Sequence, residues 1–149
     1  MRESLVRAFF EGTASPAELA SDLVGTQVAA EPHGFRSSAN YHIEPMHEEY
    51  SVRPEHLVRL VDSVLSGALS LAALHTLVFC IEASDRWRWD ADTPDGARVA
   101  DSLFWLGTPE INYPLSPMIL HRIRVYLLTG HKQFTAADTR AGRSATGEV

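Results

Sequence analysis

The amino-acid sequence predicts an all-α fold, an irregular bundle of about five to six helices with an extended arm segment in its N-terminal part. In several segments apolar residues recur at the three- and four-residue spacing of one helical face. Ser-Pro and Thr-Pro pairs predict helix starts, because the backbone N–H that proline lacks has no hydrogen-bond partner at the first helical position. A glycine follows many of these segments, where a left-handed cap favours a residue without a side chain. The five glycines in such positions are Gly12, Gly25, Gly67, Gly107 and Gly130.

Helix starts and apolar periodicity place six predicted helices along the chain. The second opens with Ser15-Pro16-Ala17-Glu18, a capping box in which serine and glutamate satisfy each other's backbone N–H groups. The fourth reads LAALHTLVFCIEA and is apolar nearly all round, which predicts a central helix covered by the others. The six helices are predicted near residues 2–11, 16–24, 54–66, 71–83, 94–106 and 117–129.

The remaining segments set the domain organisation. At 149 residues the chain fits one compact domain. We predict a single helical domain over residues 1–134, with a less regular part over 1–52 and a helical core over 53–134. The stretch Ser38 to Pro45 is the only plausible strand and has no obvious partner, so we interpret it as an extended arm across the bundle. Residues 135–149 are small and polar, which predicts a flexible tail.

Composition narrows the functional classes. The net charge of −6 argues against direct nucleic-acid binding, because phosphate contacts need lysine and arginine. Acidic residues concentrate in residues 31–55 and 82–101, which suits a basic protein partner or, alternatively, a solvated acidic surface. No apolar run approaches the roughly 20 residues of a membrane span, and the N-terminus does not resemble a secretion signal. The lone Cys80 sits in an apolar run, so we expect a reduced, cytoplasmic location.

The chain shows little catalytic or metal-binding patterning. His42 and His47 lie near Glu44, Glu48 and Glu49, so a small metal-dependent hydrolase is one alternative, although the spacing matches no closed zinc motif. The stretch DADTPDG has its proline and glycine in the wrong places for a calcium loop. No nucleophile elbow or phosphate loop occurs. We therefore expect a non-enzymatic protein without a cofactor, and a regulatory or scaffold subunit stays open as a further alternative.

Aromatic residues give the strongest indication of a binding surface. The segment SDRWRWDAD, residues 84–92, alternates arginine and tryptophan among acidic residues, and such residues dominate protein-protein hot spots. The alternative is that one or both rings fold back onto the core. A tyrosine beside two glutamates forms a second candidate of the same kind. The predicted partner-binding residues are Glu48, Glu49, Tyr50, Asp85, Trp87, Trp89, Asp90 and Asp92.

The segment LGTPEINYPLSPM, residues 106–118, is interpreted as a rigid elbow between two helices, because residues before proline favour extended geometry. Together with HLVRLVDSVLSGALSLAALHTLVFCIEASDRWRWD it forms a pattern over about residues 53–130. This pattern resembles small bacterial immunity-type proteins that are encoded beside polymorphic or contact-dependent toxins. The resemblance implies a protein that binds and neutralises a cognate toxin, expected to be basic and for instance a nuclease. It transfers no catalytic residue.

Overall fold

The structure is a computed structural model that describes residues 1–29 and 39–139, and it confirms the predicted all-α class. Each helix begins and ends within two residues of its predicted position. In the described residues, no helix is long and apolar enough to cross a membrane. The helices are α1 (Glu3–Phe10), α2 (Pro16–Leu23), α3 (Pro54–Leu65), α4 (Leu71–Glu82), α5 (Pro94–Gly107) and α6 (Pro117–Thr129).

The predicted helix starts are confirmed by side-chain caps. Both hydrogen bonds of the Ser15–Glu18 capping box are present. Thr93 and Ser116 each accept a hydrogen bond from the third backbone N–H of the helix that follows. Four of the five predicted capping glycines adopt positive φ, but Gly107 does not. It is the last residue of α5, and its Cα lies so close to α4 that an added methyl group would come within 2.8 Å of a Glu82 carboxylate oxygen.

Helix α3 occupies the centre of the bundle, in contact with α1, α4, α5 and α6. The prediction that α4 is the central, covered helix is wrong. Leu71 and Phe79 on α4 are 46% and 43% exposed, while Leu74, Leu77, Val78, Cys80 and Ile81 are buried. When a helix is apolar on all sides, its sequence does not indicate which side faces the core. The apolar composition of α4 therefore led to a prediction of more burial than the structure shows.

Within residues 1–29 and 39–139, two small sheets add to the helices. Strand β1 (Gln27–Ala29) pairs antiparallel with β2 (Ala39–Tyr41), so the predicted arm is partly a paired strand. The prediction that this arm has no pairing partner is therefore wrong. Its first residue, Ser38, lies outside the described residues. Strand β3 (Tyr50–Ser51) pairs parallel with β4 (Trp87–Arg88) and ties the N-terminal part to the segment after α4.

The chain continues past α6 along the surface of the domain. Residues Ala136–Asp138 form one turn of 3-10 helix, and the buried Asp138 forms an ion pair with Arg122 of α6. Residues 135–139, which fall within the predicted flexible tail, therefore contact the domain. The rest of the predicted tail, residues 140–149, lies outside the described residues.

Candidate functional site

The parallel pairing of β3 and β4 brings the two predicted binding segments together. Tyr50 is the register partner of Trp87, and Ser51 is the partner of Arg88. The N–H of Tyr50 donates to the Arg86 carbonyl at 2.8 Å. The glutamates before β3 and the aspartates around β4 consequently lie on one side of the molecule.

Trp87 faces the core and is only 3% exposed. Its indole Nε1 donates a hydrogen bond to Oε1 of Glu3 at 3.1 Å. Its ring meets those of Phe10 and Tyr50 edge-on, with centroids 5.7 and 5.8 Å apart. The alternative reading, a ring that folds back onto the core, therefore holds for Trp87, and this residue does not belong to an exposed contact surface.

Glu3 is a fully buried carboxylate that sequence reasoning missed. Besides the indole of Trp87, it accepts a hydrogen bond from the Met46 backbone N–H at 2.9 Å through Oε2. Both oxygens are thus satisfied, as a buried charge requires. An acidic residue in the first turn of a helix is typical of dipole compensation at a solvated end, so nothing in the sequence distinguished this glutamate from others.

His56 connects Tyr50 to the start of α3. Its Nδ1 accepts a hydrogen bond from the Arg53 N–H at 3.0 Å, so the ring proton belongs on Nε2, 3.4 Å from the Tyr50 hydroxyl. The imidazole stacks on Phe10 with centroids 5.2 Å apart. Burial lowers the pKa of His56 and raises the pKa of Tyr50. We refer to Glu3, Phe10, Tyr50, His56 and Trp87 as the inner cluster.

Trp89, two residues after Trp87, is half-buried and packs against the edge of the core. With Arg53, Arg88 and Asp90 it lines an open groove of about 400 Å³ between the ends of β3 and β4 and the start of α5. The groove wall is fixed by a turn in which the Asp90 carbonyl accepts from both the N–H and the hydroxyl of Thr93, at 3.0 and 2.7 Å.

The carboxylates of the two predicted binding segments differ in their pairing, and among them Asp90 lines the groove. Glu49 accepts a hydrogen bond from Arg88 at 2.6 Å, which lowers the pKa of Glu49. Glu48 makes a longer contact, 3.4 Å, with Arg7. Three further carboxylates are exposed and form no ion pair with any described residue; they are Asp85, Asp90 and Asp92. We call Glu48, Glu49, Asp85, Trp89, Asp90 and Asp92 the acidic-aromatic surface.

The residues considered for metal or nucleophilic chemistry are not gathered into a site. His42 and His47 are both exposed, and no group of three or more His, Cys, Asp or Glu side chains in residues 1–29 and 39–139 could hold a metal ion. Burial raises the pKa of Cys80 to about 11, which keeps this thiol protonated and unreactive at neutral pH.

Comparison with known proteins adds no functional information, because no family model, curated protein or solved structure matches the chain.

Proposed function

We propose that the chain is a non-enzymatic binding protein of the immunity type, which neutralises a basic toxin by covering it with the acidic-aromatic surface. The observation that carries the proposal is a set of exposed carboxylates that form no ion pair with a described residue, in the same segment as the half-buried ring of Trp89; they are Asp85, Asp90 and Asp92. Partially exposed aromatic rings supply contact area, and unpaired charges attract a partner of opposite sign.

The charge arrangement favours a partner that provides lysine or arginine. The two arginines that line the groove are already engaged, since Arg88 pairs with Glu49 and Arg53 lies 3.8 Å from Glu55. The exposed Arg86 nearby forms no ion pair with a described residue. The free carboxylates would gain most from new cations. Such complementarity raises the association rate mainly at low salt, because charges beyond about 8–10 Å are screened at physiological ionic strength.

Co-expression with the gene beside its own tests the proposal. We expect the neighbouring product to arrest growth, this chain to restore growth, and the two proteins to purify as a complex. The single variants Asp85→Lys and Asp92→Lys should slow complex formation at low salt, because each reverses an unpaired charge at the surface. A neighbouring product that is harmless and does not bind contradicts the proposal.

Glu110→Lys provides the matched control. Glu110 is also an exposed carboxylate, but it lies in the elbow between α5 and α6 and not beside the groove. The control should form the complex as fast as the unaltered chain. If all three variants slow association equally, only the net charge matters and this surface is not the binding site. If none does, the regulatory or scaffold alternative, with a merely solubilising acidic face, gains support.

A further inference from the structure

A second feature is the segment after α6, residues 131–139, which we call the strap. Helix α6 ends at Gly130 in a left-handed conformation, with φ of 74°. Among the described residues, the backbone hydrogen bonds of 131–138 are local and reach back only to the Thr129 side chain. The strap is therefore attached to the domain by side chains, and its main attachments are Lys132, Phe134 and Asp138.

The side chain of Lys132 is 56% exposed and its ammonium lies against two aromatic rings and a carboxylate. Its ammonium lies 5.3 Å from the ring centroid of Trp105, 5.5 Å from that of Tyr126, and 3.2 Å from Oδ2 of Asp101. The same Asp101 oxygen accepts a hydrogen bond from the Tyr126 hydroxyl at 2.6 Å. This arrangement offers both a π face and a negative charge to a cation.

Phe134 occupies the adjoining aromatic space. Its ring stacks on Tyr113 with centroids 4.4 Å apart, and its centroid is 4.7 Å from that of Trp105. Tyr113 belongs to the elbow between α5 and α6, while Trp105 belongs to α5. The strap thus presents a cation and, two residues later, an aromatic ring to one continuous site. We call this the aromatic site; it consists of Asp101, Trp105, Tyr113 and Tyr126.

We propose that the strap is a displaceable cover and that the aromatic site beneath it binds a partner-protein segment carrying a lysine or arginine two residues before an aromatic residue. The strap itself shows which chemistry the site accepts. Segments held by few side chains open locally at a lower free energy than the helices beneath them. The aromatic site shares no residue with the acidic-aromatic surface, so this proposal is independent of the toxin-binding proposal.

A peptide in trans tests the site with a defined probe. The probe is the labelled synthetic peptide TGHKQFTAADT, residues 129–139, and the full-length receptor is the double variant Lys132→Ala/Phe134→Ala. In the unaltered protein the protein's own strap competes with the peptide for the aromatic site, at an effective concentration on the order of 1 mM. We therefore expect the peptide to bind the double variant at least about tenfold more tightly than it binds the unaltered chain.

Two controls give the result its meaning. The same peptide with both its lysine and its phenylalanine replaced by alanine should not bind the double variant. Circular dichroism establishes that the variant is folded. A folded double variant that ignores the unaltered peptide, or binds both peptides equally, overturns the proposal. If the unaltered protein is a dimer in solution and Phe134→Ala abolishes the dimer, the occupant of the aromatic site is the strap of a second copy. The proposal of a different partner protein is then overturned.

Hydrogen exchange on the unaltered protein tests the opening step without any variant. The hydrogen-bonded amides within residues 131–138 of the strap, those of His131, Thr135 and Asp138, should exchange through openings that leave the α5 and α6 amides protected. If the strap amides instead exchange at the same free energy as those of α5 and α6, the strap opens only on global unfolding and is no cover.

Discussion

The inner cluster and the acidic-aromatic surface meet at the same two short strands, since Tyr50 and Trp87 lie in these strands and the surface residues flank them. The two groups nevertheless differ in almost every physical property. Trp87 is buried and its indole donates to a buried carboxylate, whereas Trp89 is half-buried beside an open groove. The carboxylate of Glu3 has both oxygens satisfied, whereas those of Asp85 and Asp92 have no ion-pair partner among the described residues. Stability and the proposed binding therefore reside in different side chains of one segment, and mutation can separate them.

The largest effect is expected for Trp87→Ala. Truncation of a buried tryptophan costs about 3–5 kcal/mol of unfolding free energy, and here it also leaves Oε1 of Glu3 without its hydrogen-bond donor. Trp89→Ala is the matched control two residues away, with an expected cost below about 1.5 kcal/mol because its ring already contacts solvent. Urea unfolding of both variants makes the measurement. Equal costs would show that the two tryptophans are not divided into an inner and an outer role.

Glu3→Gln should destabilise the inner cluster less severely. A glutamine has one acceptor oxygen, so either the Met46 N–H or the Trp87 indole loses its partner inside the protein. An unsatisfied buried donor costs about 1–3 kcal/mol. Glu110→Gln, at an exposed position that forms no ion pair with a described residue, serves as the control and should leave the urea midpoint unchanged. If the two variants unfold alike, the buried carboxylate contributes nothing specific.

Gly96→Ala tests the turn that joins the acidic-aromatic surface to α5. An added methyl group at Gly96 would come within 1.8 Å of the Asp90 carbonyl oxygen, so the turn or the helix must move. Overpacking of this kind costs about 1–3 kcal/mol. An unobstructed helical glycine would instead gain roughly 0.5–1 kcal/mol on substitution by alanine. The sign of the change in the midpoint of thermal or urea unfolding therefore decides whether this close approach exists in solution.

The helices were predictable because their signals are local. The capping box at Ser15 and the Thr93 and Ser116 caps need only residues three positions apart, and all three form as predicted. The inner cluster was not predictable, because Glu3 and Trp87 are 84 positions apart and their hydrogen bond depends on the parallel pairing of two-residue strands. Strands that short leave no alternating pattern in the sequence. The same limit explains why the sequence suggested both tryptophans as contact residues.

The pH dependence of stability probes the inner cluster through His56. Burial lowers the folded-state pKa of His56, while the unfolded chain titrates near its usual value of about 6.5. Between these two pKa values the imidazole is protonated in the unfolded state but not in the folded state. The contribution of His56 to the free energy of unfolding is therefore fully present above about pH 6.5 and is lost as the pH decreases towards the folded-state pKa. Urea unfolding from pH 7.5 to 5 should show this loss. His56→Gln should flatten it, and an unchanged profile in that variant would place the titrating group elsewhere.

The smallest effect on stability is expected at the acidic-aromatic surface itself. Asp92 is exposed and forms no ion pair with a described residue, so Asp92→Lys should lower the urea midpoint of the isolated protein only slightly, through the loss of a negative charge at the start of α5. A charge reversal at Glu49 should have a larger effect on stability. In the unaltered protein Arg88 lies 2.6 Å from the Glu49 carboxylate, so Glu49→Lys would place two positive charges side by side. Glu49→Lys should therefore lower the midpoint at low salt, with the loss reduced as salt screens the repulsion. If Asp92→Lys lowers the midpoint as much as Glu49→Lys does, Asp92 contributes to the stability of the folded protein. Its carboxylate would then not be an unpaired charge available to a partner.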